Sequence, residues 1–469
     1  MALTVLDEGR GLRVLLGQAG RVGEEDGAGR AAPDPALASP GVVEPPAELE
    51  ADSRPLGAAD FVRDLFSREL LRYLGPGFIV TIGFIDPGNW ATNIAGGSQF
   101  GYALLWVVSL STLMLIFLQH LSAKLGIVTG RSLAANVRER LPAPVVWLAG
   151  VTIVLACIAT DLAEYLGAAL GFYLLFGLPL WLGAPLTVGL VFLAILGQQY
   201  HKLERMIVAF LAVIAGCYIV ELFLVGPNWA AAAPRWVVPS LDGASILVAL
   251  GMLGAIVMPH NIYVHSNVIL SRDWDLAPER RRRLMNFELI DTSLAMGMGW
   301  LVNSAMIIVA AAVFFSAGVD VSSIEQASET LEPLVGPLAR FLFGLALLVA
   351  GLASSITSSL AEANVVTGYL GRPEDPRSRA YRIGLVVTSL PAMIVIVLGV
   401  DSYMALIVSQ VLLSVQLPFT IVPLLWLSRS RRVMGGYRMG AVQLVVGVLI
   451  ATIVVGLNVF LLYQLFSGG

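Results

Sequence analysis

Asp86-Pro87-Gly88-Asn89 and, about 170 residues later, Met258-Pro259-His260-Asn261 interrupt two long hydrophobic segments at their centres. Proline lacks an N–H and its ring displaces the carbonyl four residues before it, and glycine adds backbone freedom, so each stretch breaks a helix. Inside a bilayer no water is at hand to satisfy the released backbone groups. Such breaks survive there only where they line a cavity or hold an ion. Two of them at corresponding places in two halves of a chain point to paired repeats with a site near the bilayer midplane.

The rest of the chain supplies the membrane. Of 469 residues, 57% are hydrophobic and 13% charged, which excludes a soluble enzyme of this length. Apolar runs long enough to cross, at ~20 residues each, occupy roughly 74–96, 102–123, 144–175, 179–197, 206–225, 244–269, 291–316, 335–370, 382–400, 402–427 and 439–466. This predicts about eleven spans, all helical.

Charge sets the orientation. Arg63, Arg68 and Arg72 precede span 1, and each even-numbered span is followed by bases: Lys124 and Arg131, Lys202 and Arg205, Arg280 to Arg283, Arg372 to Arg382, and Arg429 to Arg438. The opposite loops carry Arg235 and acids such as Asp320, Glu325, Glu329 and Glu332. The positive-inside rule then places the N-terminus in the cytoplasm and the C-terminus outside. The run Arg280 to Arg283 reads as a basic loop near anionic headgroups, not as a nucleic-acid site. Cys157 and Cys217 both fall in spans, so neither a disulfide framework nor a cysteine metal site is indicated. Residues 1–57, rich in Ala, Gly, Pro and Glu, read as a disordered cytoplasmic tail without a signal peptide, followed by a transmembrane domain over 58–469.

A divalent cation that sheds water at the midplane needs several donors, with enough negative charge for capture but not so much that release fails. Asp86 offers a carboxylate, and an unpaired acid in a span costs ~3 kcal/mol on insertion scales, which marks it as functional. Asn89 adds an amide oxygen one turn on. Pro87 and Pro259 should release the carbonyls of Gly83 and Ala255. Met258 contributes a thioether, a soft donor that favours transition metals over magnesium and calcium.

Three stretches together resemble one family. Asp86-Pro87-Gly88-Asn89-Trp90-Ala91-Thr92-Asn93, Gln119-His120-Leu121-Ser122-Ala123-Lys124-Leu125-Gly126 and Met258-Pro259-His260-Asn261-Ile262-Tyr263-Val264-His265-Ser266 are similar to the motifs of the Nramp family of proton-coupled manganese and iron transporters, and the similarity runs from about residue 70 to the C-terminus. The resemblance implies an all-α polytopic LeuT-like fold of two inverted five-helix repeats, about 70–228 and 240–428, plus an eleventh helix at about 439–466. It implies metal ligation by Asp86, Asn89, Met258 and the carbonyls of Gly83 and Ala255, with Gln410 of span 10 joining during occlusion.

Asp161 and Glu164, three residues apart, share a face of span 3, and two carboxyls buried together suit a proton relay. The resemblance gives this pair the task of carrying protons away from Asp86. His260 and His265 are imidazoles beside the second break that either relay protons or pack. Two features depart from the family pattern. Early in span 9, where the family places bases, stand Gly384 and Leu385, with Arg382 the nearest base; and Glu362 occupies a span 8 position where the family more often has glycine.

The expectation is a bacterial inner-membrane importer of manganese(II) and iron(II), monomeric, working by alternating access and driven by protons. No cofactor is expected, the metal being the substrate, and the partners are protons and the bilayer. A magnesium or uncoupled divalent-cation transporter of the same fold is the nearest rival, against which Met258 argues. An amino-acid symporter of this architecture would need donors for a substrate carboxylate and amine that the breaks do not display. No nucleophile–base set or nucleotide loop suggests an enzyme.

Overall fold

The prolines at the two breaks do not merely end helices; each begins one. Pro87 opens the helix Pro87–Phe100 and Pro259 opens Pro259–Val268, positions where a missing N–H costs nothing because the first helical N–H groups have no partner within the helix. Span 1 is therefore the pair Pro76–Gly83 and Pro87–Phe100, and span 6 the pair Ser245–Ile256 and Pro259–Val268. The computed structural model describes residues 63–467 except 68, 198–199, 242, 244, 273–277, 320 and 322. The tail expected over 1–57 lies outside the described residues.

The remaining spans are Leu105–Thr129, Ala143–Phe176, Leu180–Gly197, Tyr200–Val225, Pro278–Ala310 continued by a π-helical turn at Ala311–Phe315, Pro337–Leu370, Arg379–Val397, Ser402–Arg429 and Ala441–Ser467. Among the described residues ten helical segments are long and apolar enough to cross a membrane. Span 1 is the eleventh crossing; its halves, of 8 and 14 residues, are each too short to count alone. The architecture is the expected LeuT-like one, with the first helix of each five-helix repeat broken.

Burial orders the spans from centre to rim. In span 6, 78% of the most apolar stretch is inside the protein, against 28% in span 4 and 22% in span 11. Leucines and phenylalanines such as Leu193 and Phe223 stand exposed on outer spans, as a lipid-facing surface requires. Spans 3 and 8 lie closely side by side, the backbone of Ala168 reaching Gly351 and that of Leu348 reaching Gly171, small-residue contacts of the kind that drive helix association in lipid.

Three elements differ from the sequence reading. Span 7 starts at Pro278, well before the expected 291, because the helix runs on through the Arg280 to Arg283 stretch. The loops after spans 2 and 7 hold the helices Leu133–Arg140 and Ile324–Val335, capped by the Ser132 and Ser323 hydroxyls; their polar composition hid them from a search for apolar runs.

Candidate metal centre

Asp86 is the N-cap of the second half of span 1. Its carboxylate accepts from the backbone N–H of Gly88 at 3.1 Å and of Asn89 at 2.9 Å, so a buried negative charge sits at the positive end of a helix. The Asn89 side chain closes the arrangement: its Nδ2 donates to Asp86 Oδ1 at 2.6 Å and, across the two breaks, to the Ala255 carbonyl at 3.0 Å. Pro259, four residues after Ala255, has no N–H to give that carbonyl, and Pro87 stands in the same relation to Gly83. Asn89 Oδ1 has no hydrogen-bond partner among the described residues.

Met258 reaches the same place from span 6, its Sδ 3.6 Å from Asn261 Nδ2. The Asn261 amide lies against Gly83, and the Gln410 amide from span 10 lies against Gly88, beside Asp86; a Cβ at either glycine would collide with these side chains. Gln410 Oε1 is likewise without a partner among the described residues. Asp86, Asn89, Ala255 and Met258 have no solvent exposure and Gln410 only 3%, so the centre is occluded. The six residues singled out in the sequence therefore converge. Among the described residues no cluster of three His, Cys, Asp or Glu side chains suited to a metal exists.

The acids beyond the centre gather on spans 3 and 8, against hydroxyls of spans 8 and 9. Ser358 donates to Glu164 and, at 3.4 Å, to Asp161; Ser389 donates to Asp161 at 3.0 Å; and Tyr165 links Ser389 at 2.6 Å to Ser359 at 3.0 Å. Glu362 packs against Asp161. Gly384, which packs on Ala363 and Val366 of span 8, and Leu385 are buried, chargeless positions, whereas Arg382 is exposed. His260 Nδ1 lies 3.2 Å from the Thr160 hydroxyl, one residue from Asp161, and so bridges the second break to span 3. His265 points elsewhere: its Nδ1 is 3.1 Å from Gln119 Oε1 on span 2.

Sequence reasoning passed over several polar groups. Glu288 meets His120 at 2.6 Å; Asp291 accepts from the N–H groups of Gly75 at 2.9 Å and Gly77 at 2.7 Å; Glu221 is buried in span 5 with neither oxygen partnered among the described residues. Acids in or beside an apolar run were the available signal. Glu374 carried none, lying in a polar loop. Folded, it accepts from Ser132 Oγ at 2.7 Å and from Asn267, which Asn364 also bonds at 2.7 Å. With Tyr263 and Tyr369 joined at 2.6 Å, these contacts hold the end of Pro259–Val268 to span 8 and the loop after it.

Comparison with known proteins bears on this geometry. Residues 77–464 match the Nramp family model, described as natural resistance-associated macrophage protein-like. The divalent metal cation transporter MntH of Caldanaerobacter subterraneus subsp. tengcongensis is 40% identical over 404 residues, 86% of this chain and 95% of that one. A manganese transporter from Eremococcus coleocola, solved in a mutant form, superposes with a TM-score of 0.76 at 31% identity, covering 88% of this chain and 89% of that one. Mhp1, a nucleobase-cation-symport-1 family transporter, shares the fold alone, at 15% identity and a TM-score of 0.53 over 81% of this chain and 91% of its own.

Proposed function

The chain belongs to the Nramp family, and from that premise we propose that it imports divalent transition-metal ions, manganese(II) and with it iron(II), by alternating access across a bacterial plasma membrane. The observation that carries the reading is the tie from Asn89 to both Asp86 and the Ala255 carbonyl, which gathers donors from two helix breaks around one carboxylate. Asp86 supplies the charge that draws the cation out of water. Asn89 Oδ1, the Gly83 and Ala255 carbonyls and, on occlusion, Gln410 Oε1 supply neutral oxygens, and Met258 Sδ supplies selectivity against magnesium and calcium. For Ala255 to take the cation, Asn89 gives up its bond to that carbonyl.

Repeat one occupies about 70–228, repeat two about 240–428, and the extra helix about 439–466. The N-terminus is cytoplasmic, the C-terminus external, and the unit a monomer whose single chain encloses the centre. Release toward the basic side requires breaking the contacts of Tyr263 and Asn267 with Tyr369, Asn364 and Glu374, since these pin the second half of span 6 to its neighbours.

Protons are the proposed driving ion. Carboxyls packed this closely in low dielectric do not all ionise together, so Asp161 and Glu164, joined through the Ser358 hydroxyl and approached by His260, form with the neighbouring Glu362 a store that exchanges protons with Asp86. The absence of a base at Gly384 and Leu385 favours looser coupling of proton to metal flux than in relatives that carry one. Recording manganese uptake into proteoliposomes together with internal pH tests both parts. Uptake without acidification would leave metal transport standing and remove the coupling; no uptake of any divalent ion would remove the function.

A further inference from the structure

We propose that the basic end of the span 10–span 11 hairpin is a binding site for one anionic phospholipid. A groove of about 380 Å³ runs between these spans, lined by Leu425, Trp426, Arg429, Ser430 and Leu444. Its two ends differ in chemistry. Towards the bilayer interior it is apolar, with Leu425 buried as the floor, Leu444 half-buried and Trp426 exposed at 52% as one wall. Towards the loop it meets Arg429 and Ser430, and the same turn carries the exposed Arg432 and Arg438.

The turn is built to hold this end in place. Met439 N donates to the Ser428 carbonyl at 2.9 Å and Arg429 Nη1 donates to the Met439 carbonyl at 2.8 Å, closing the hairpin. Val433, Met434, Tyr437 and Met439 are buried beneath it, so the loop is anchored and its arginines face outward.

Charge complementarity selects the occupant. From residue 402 to the C-terminus there are four arginines and no Asp or Glu, so this end of the chain carries a net positive charge. A groove with an apolar stem and a cationic, hydroxyl-bearing mouth at the membrane boundary fits a molecule with acyl chains and a phosphate diester, and basic pockets between spans are where acidic headgroups bind. Phosphatidylglycerol satisfies both halves. Phosphatidylcholine satisfies only the stem, because its choline meets the arginines with like charge.

The test is native mass spectrometry of the detergent-purified full chain, titrated separately with dioleoyl-phosphatidylglycerol and dioleoyl-phosphatidylcholine. The expected result is one retained phosphatidylglycerol, bound at least about fivefold more tightly than phosphatidylcholine, the factor that one arginine near an anionic surface contributes. Arg432→Gln, an exposed position, should weaken retention by about the same factor. Leu444→Trp should abolish it by filling the stem with no change in charge, and Arg372→Gln on another basic loop should leave it unchanged. Equal retention of the two lipids, retention that survives both Arg432→Gln and Leu444→Trp, or full displacement by excess inorganic phosphate would overturn the assignment. A dimer peak lost in Leu444→Trp would also overturn it, giving the groove to a second copy.

Discussion

Asn89 spans the two helix breaks: one side-chain nitrogen lies 2.6 Å from Asp86 Oδ1 and 3.0 Å from the carbonyl of Ala255, a residue 166 positions away. The donor is shared between the Asp86 carboxylate and a carbonyl that proline has left without its helical partner. Removing either residue therefore has different consequences.

Asp86→Ala should abolish manganese uptake by proteoliposomes, because it removes the carboxylate around which the other donors gather. Asn89→Ala should keep the charge yet leave the Ala255 carbonyl buried without a donor, at a cost of ~1–3 kcal/mol. Uptake should fall about tenfold and thermal stability should drop in Asn89→Ala but not in Asp86→Ala to the same degree. Normal uptake by Asp86→Ala would exclude this site.

Met258 separates soft from hard cations. Met258→Ala should retain manganese transport while its preference for manganese over calcium falls about tenfold. Because the side chain is fully buried, Met258→Leu serves as the volume control. Competition by calcium in both variants checks this, and unchanged selectivity would make Met258 a packing residue.

Arg382 is exposed and the acids of span 3 are paired with hydroxyls, so Arg382→Ala should change manganese uptake and internal acidification by less than about twofold. Glu362→Gln removes a carboxyl beside Asp161 and should lower acidification per manganese ion taken up. Tight coupling that survives Glu362→Gln but collapses in Arg382→Ala would reverse the assignment.

Glu374 lies outside the spans, and burial pushes its carboxyl above the ordinary value of 4.5 against the opposing pull of its Ser132 and Asn267 donors. A carboxyl raised on folding binds its proton more tightly in the native state. Its contribution to stability is thus complete below pH 4.5 and is lost as pH rises through the higher native value. Melting temperature followed across this acid range should fall with rising pH more steeply in wild type than in Glu374→Gln, whose amide does not titrate. Parallel curves would place the linkage elsewhere.

The sequence alone determined the crossings and their breaks and singled out the residues of the candidate centre, for one reason. A bilayer cannot satisfy stray backbone groups or solitary charges, so an apolar run of the right length must be a helix, and a proline beside Asp86 or Met258 inside one must be purposeful. What it did not determine were partners separated by long stretches of chain. That Asn89 bonds Ala255, that Asp161 meets hydroxyls of spans 8 and 9 where family pattern led one to look for bases, and that Glu374 in a polar loop holds Asn267 depend on which helix faces cross. Apolar periodicity says that a face is buried without saying against what. Within a membrane, where lipid is as apolar as leucine, packing of small residues such as Ala168 on Gly351 and the pairing of buried polar groups make that choice, and both exist only in the folded chain.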